Sequence, residues 1–122
     1  MKYRNDEIYM KLEQIIESAG VTIEYGIVPD DSIDGNIWAR SDESAMKIIM
    51  PQDDVFPDDL TACRILGHEF AHILARIPSV DGDPVRREMD ERACDVIGAY
   101  MVRLAEMIAG HEAESIIKEF VM

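Results

Sequence analysis

The chain has 122 residues, which allows one domain with one hydrophobic core and leaves no length for a second. A hydrophobic content of 48% excludes a disordered chain, and no apolar run approaches the roughly 20 residues that a membrane-spanning helix needs. Twelve Lys and Arg against 25 Asp and Glu leave a formal charge of −13, which excludes a general nucleic-acid-binding surface.

The acids are densest in residues 1–60, which carry 14 acidic and 5 basic side chains. Half of those acids fall in two short segments, Asp30/Asp31/Asp34 and Asp53/Asp54/Asp58/Asp59. Such a surface keeps a protein soluble and attracts a basic partner. Two cysteines are too few for a disulfide framework, and MKYRNDEIYM lacks the apolar core of a signal peptide. The expected location is therefore the cytoplasm, with both thiols reduced.

Ile8, Leu12, Ile15 and Ile16 recur at helical spacing between Asp6 and Ser18, and Gly20 follows as a stop. Val21 to Ile27 alternates apolar and polar as a half-buried strand does. After a turn at Pro29 to Ser32, Asn36 to Arg40 and Ala45 to Met50 read as two more strands joined by the polar turn Ser41 to Ser44. Links this short predict an antiparallel meander. From Phe56 the pattern is helical, with Pro57 in the first turn, and it runs to Ile77 before Pro78. A second long helix opens at Asp83-Pro84 and is expected to stop at Gly110, with a short amphipathic helix after it. The expectation is a single α+β domain over residues 1–122. Its order is an N-terminal helix, a small three-stranded, mostly antiparallel sheet, two long helices and a short C-terminal one.

The first long helix carries His68-Glu69-Phe70-Ala71-His72, an HExxH motif. At 100° per residue the two histidines lie about 40° apart on one face, a turn from each other. Leu66, Phe70, Ile73, Leu74 and Ile77 gather on the opposite side, while Ala71 and Ala75 leave the histidine side uncrowded. A catalytic zinc takes three protein ligands and leaves one position open. The second long helix offers Glu91 as the third, ahead of Glu88 and Asp90, which point about 60° and 100° away, with Asp95 four residues on and able to accept the free N–H of a ligand histidine. Gly98 shares their face. A glycine in mid-helix is about 1 kcal/mol less favourable than alanine, which predicts a packing reason such as close approach of the two helices. Cys63 and Cys94 read as small core residues.

The spacing resembles that of the gluzincin metallopeptidases: HExxH, then a ligand Glu some 20 residues on, with an acid or amide four after it. Glu24-Tyr25-Gly26, Ile33-Asp34-Gly35, Ile48-Ile49 and Cys63-Arg64-Ile65-Leu66-Gly67-His68 are similar to signatures of the ImmA/IrrE family of small bacterial and phage metallopeptidase domains. The resemblance covers roughly Glu13 to Arg103. At the position of the family's usual Asn stands Asp95, as in thermolysin-like enzymes, and Ala93 replaces a second Glu. What the resemblance implies is a cytoplasmic zinc metallopeptidase with one zinc per chain. His68, His72 and Glu91 would be the ligands, Glu69 the general base that takes a proton from metal-activated water, and Asp95 the residue that orients a ligand.

The implied substrate is a protein, and the acidic rim together with the family's link to repressor inactivation points to a basic DNA-binding repressor. Neither nucleic acid nor membrane is an expected partner. An extended substrate would add to a strand edge between Asn36 and Met50. No oxyanion donor stands out: Tyr100 lies about 180° round its helix from Glu91, and Tyr25 and His111 read more naturally as structural residues. The alternative is a zinc-stabilised acidic module that acts on a regulator by association and cleaves nothing. Two imidazoles and a carboxylate also suit manganese or iron.

Overall fold

A computed structural model of the chain describes residues 2–28, 39–77 and 82–121, with side chains up to Glu112. The fold is α+β. A 3-10 turn (Lys2–Asn5) leads into α1 (Glu7–Ser18), three strands follow as β1 (Thr22–Gly26), β2 (Arg40–Asp42) and β3 (Lys47–Pro51), and α2 (Asp59–Leu74) and α3 (Pro84–Val121) complete it. The expected turn at Pro29 to Ser32, the expected strand up to Trp38 and the Pro78 stop lie outside the described residues.

Local chemistry sets the ends of these elements. The Asp6 carboxylate accepts the Tyr9 N–H at 3.0 Å, and Asp58 accepts the Thr61 N–H at 2.7 Å, so each caps the first turn of its helix. Asp58, not Phe56 or Pro57, is therefore where α2 begins. α1 ends into Gly20, whose φ of 86° reverses the chain toward β1. α2 ends sooner than expected, because Arg76 takes a left-handed φ of 56°. The Ile77 N–H then turns back to the His72 carbonyl at 2.9 Å and the Arg76 N–H to the Ile73 carbonyl at 3.3 Å, the Schellman closure.

The sheet is not a meander. Its order is β1-β3-β2, with β3 in the centre. β1 runs parallel to β3, from Thr22 opposite Lys47 to Gly26 opposite Pro51, and β2 runs antiparallel to it, from Arg40 opposite Ile49 to Asp42 opposite Lys47. Residues 27–39 are what permits this. They are long enough to carry the chain past the place of β3 and lay β2 down as an outer strand. Ser41 belongs to that strand, and the turn falls on 43–46 instead. Among the described residues β2 has a strand on one side only.

The core joins Tyr9, Leu12 and Ile16 of α1, Ile48 and Met50 of β3, Cys63, Leu66, Phe70 and Ile73 of α2, and Val102 and Ala105 of α3. Cys63 and Cys94 are buried free thiols, and burial pushes both up to about 12. Leu74, expected on the packed side, is about half exposed at the helix end. α3 does not stop at Gly110 but continues to Val121 as one helix. A lone glycine is tolerated in a helix interior, and Gly110 does not take the positive φ that a helix-ending glycine needs. No described helix is long and apolar enough to cross a membrane.

Candidate metal centre

Helices α2 and α3 meet through two glycines. A Cβ added to Gly98 would stand 2.7 Å from the His68 backbone nitrogen and 2.9 Å from the Gly67 carbonyl carbon. One added to Gly67 would stand 2.8 Å from the Gly98 carbonyl oxygen. Backbones this close leave no space for a side chain, which is the packing reason that a mid-helix Gly98 predicts. Gly67, missed in the sequence, carries the same signal one residue before the HExxH motif.

The contact brings the face of α2 that bears the histidines against the face of α3 that bears the acids. His68 Nε2 lies 2.7 Å and His72 Nε2 3.4 Å from the two carboxylate oxygens of Glu91, and the two Nε2 atoms are 3.3 Å apart. One donor atom from each of His68, His72 and Glu91 falls within 4.8 Å of the others, so the three can hold a metal ion. Two imidazole nitrogens and one carboxylate form a set that leaves coordination positions open on a tetrahedral or larger ion. Glu88, a neighbour in sequence, is instead exposed and pairs with Arg92 at 2.8 Å.

Each imidazole is held from behind through its other nitrogen. His68 Nδ1 is 2.7 Å from Asp95 Oδ1, the contact expected of Asp95. His72 Nδ1 is 2.9 Å from the Ile77 carbonyl oxygen, which the left-handed turn at Arg76 swings back under the helix end. Both Nδ1 atoms thus donate, and both Nε2 atoms face the centre, where each can bind a metal once its proton is lost. The Ile77 contact was not legible, because Arg76 carries no sequence mark of a positive φ.

Glu69 projects from α2 beside the same centre, with buried Ser41 of β2 near it. Burial raises its carboxyl pKa, and the two imidazoles and the Ser41 hydroxyl oppose that shift. Glu91 goes the other way. Burial alone would raise its pKa, but both imidazoles together hold it down to about 2. Tyr25 is not at the centre: it donates to Glu13 at 2.6 Å, meets the Tyr9 hydroxyl at 2.8 Å and lies under the Arg4 guanidinium. Tyr100 is 73% exposed, and His111 is also exposed.

Without a metal, His68 is a strong base. Burial lowers its pKa, but Glu91, Glu69 and Asp95 outweigh burial and lift it to about 9, and His72 is raised as well. The native state then holds a proton between pH 6.5 and 9 that the unfolded chain has released. The metal-free fold should therefore have its full stability below 6.5 and lose it as the pH rises through 9. A bound metal displaces that proton, so the metal-loaded protein should gain stability up to about pH 6.5 and not lose it above. Urea melts at several pH values, with and without metal, check the opposite slopes. Asp95→Ala is expected to weaken metal affinity about 10- to 100-fold by freeing the His68 ring, measured by competition with a chromophoric chelator.

No family model, curated protein or solved structure matches the chain.

Proposed function

We propose that the chain is a cytoplasmic zinc metallopeptidase of the gluzincin type, related to the ImmA/IrrE domains. The observation that carries this reading is the position of Glu69. A half-buried carboxyl with a raised pKa stands beside two imidazoles and a carboxylate that converge on one point. A purely structural metal site has no use for such a group, and structural zinc is usually closed by four protein ligands.

Held by His68, His72 and Glu91, zinc would supply a Lewis acid that polarises a carbonyl and acidifies water. The remaining steps belong to the chain. Asp95 and the Ile77 carbonyl fix the tautomer and direction of the two rings. Glu69 accepts a proton during attack on the peptide carbonyl and returns it to the leaving amine, a role suited to a carboxylate whose pKa is lifted toward neutrality. β2 packs on α2, and its side away from β3, which pairs with no described strand, would offer backbone groups to an extended peptide. The charge of −13 favours a basic substrate, in keeping with a DNA-binding repressor.

The test is metal content by mass spectrometry on protein purified without chelator, with His72→Ala and Glu91→Ala beside it. A fluorogenic library of Lys/Arg-rich peptides is then assayed before and after chelation. About one zinc per chain, lost in both variants, with cleavage removed by chelator and restored by zinc, is the expected result. Manganese or iron in place of zinc would change the cofactor and keep the peptidase reading. No metal uptake on titration would end that reading.

A further inference from the structure

The outer side of α3 carries a row of apolar side chains that no described residue covers. Val85, Met89, Val96, Tyr100, Leu104 and Met107 are 68%, 66%, 57%, 73%, 41% and 58% exposed. Val85, Met89, Val96, Tyr100 and Met107 fall within about 60° of one another round the helix, and Leu104 borders them. The opposite side of the same helix is packed through Cys94, Gly98, Val102, Ala105 and Ala109. A helix apolar on two opposite faces normally has neighbours on both.

The spacing of the row indicates what the second neighbour is. Arg92 and Arg103 fill the steps between the apolar members, so the row reads Val85, Met89, Arg92, Val96, Tyr100, Arg103, Met107. Its steps outward from Val96 are four, three and four residues in both directions. A two-fold axis at Val96 lays an identical helix across it in antiparallel direction and matches every member with another. Val96 meets itself, Val85 meets Met107, Met89 meets the stem of Arg103, and the Tyr100 ring meets the Arg92 guanidinium. On one edge Glu88 comes opposite Arg103 of the second copy, which gives the contact a complementary charge pair. Self-complementarity of this kind is the requirement for a closed dimer interface.

The area agrees. Six side chains of these sizes and exposures present on the order of 600 Å² per copy, above most patches on monomers. About 1,200 Å² for the pair reaches the lower edge of stable interfaces. We propose that the protein is a homodimer formed by antiparallel pairing of α3 about Val96. Glu91 lies about 140° and Asp95 about 100° round the helix from Val96, so the ligand face of α3 stays clear of the pairing axis. This inference does not depend on the proposed activity.

Sedimentation equilibrium of the full chain at about 50 µM tests it, together with Val96→Glu, which places two carboxylates on the axis. The wild type is expected at twice the chain mass of 13.8 kDa, and Val96→Glu as a monomer with unchanged helical circular dichroism, at least about a 100-fold rise in the dissociation constant. A short bis-maleimide should link Val96→Cys to itself. It should link Val85→Cys to Met107→Cys when the two variants are mixed, and leave Val85→Cys alone unlinked. A wild-type monomer, which would leave the row to some other partner, overturns the proposal. So does a dimer that survives Val96→Glu, or self-linking of Val85→Cys, which would mean a parallel arrangement.

Discussion

Glu69→Gln is expected to lower peptide cleavage by about 10²- to 10⁴-fold, the usual weight of a general base, while zinc uptake changes little. The substitution keeps the shape and removes only the ability to take a proton. Glu69 is not among the three donors that converge on the centre, so the metal site should survive. The fold should not suffer either. Burial disfavours the charged form of Glu69, and a neutral amide in the same place is freed from that penalty. The variant is therefore expected to melt at or above the wild-type temperature. Activity lost with stability kept or gained would mark Glu69 as a residue retained for chemistry at some expense of stability. A repressor-type partner still inactivated by the variant would favour association over hydrolysis, and peptide cleavage that survives would remove the general-base role from Glu69.

The second large effect is expected at the crossing of α2 and α3. By helix propensity alone, Gly98→Ala should stabilise α3 by about 1 kcal/mol. The crossing reverses the sign. The new methyl would stand 2.7 Å from the His68 nitrogen and 2.9 Å from the Gly67 carbonyl carbon, both backbone atoms that cannot rotate away. Forcing the helices apart should cost about 1–3 kcal/mol beyond the propensity gain, a fall in melting temperature of roughly 5–10 °C. Because Glu91 and the two histidines sit on opposite sides of that crossing, metal affinity should fall with it, by at least about tenfold. Gly110→Ala is the control. It meets nothing within 4 Å in the same helix and should raise stability by about 0.5–1 kcal/mol. Thermal melts and zinc titrations of the pair decide the matter, and equal behaviour of the two variants would contradict the close approach.

The parts of the candidate site that follow from helical period alone were legible in the sequence. His68 and His72, and Glu91 and Asp95, are each four apart, and Gly98 announced the contact that brings the pairs together. The class and order of the elements followed from the changes in hydrophobic period. What stayed hidden depended on longer range or on backbone choices that composition does not mark. Strand order turned on which strand lies in the middle, and the 27–39 connection allowed β3 to take that place. Gly110 could either end a helix or sit inside one, and only its φ separates the two. Ser41 has the look of a turn residue, yet it lies in β2 near Glu69. The left-handed Arg76 had no glycine or asparagine to betray it.

The two imidazoles are oriented by partners of different kinds: His68 by the side chain of Asp95, His72 by the main-chain carbonyl of Ile77. Mutation therefore reaches them unequally. Any substitution at position 95 redirects or releases His68 and leaves the backbone alone, so metal affinity can drift or be engineered there in small steps. No side-chain change at position 77 removes the carbonyl that holds His72. That ring can be loosened only by altering the left-handed turn at Arg76, and with it the end of the helix. One ligand is thus adjustable, while the other is tied to the fold.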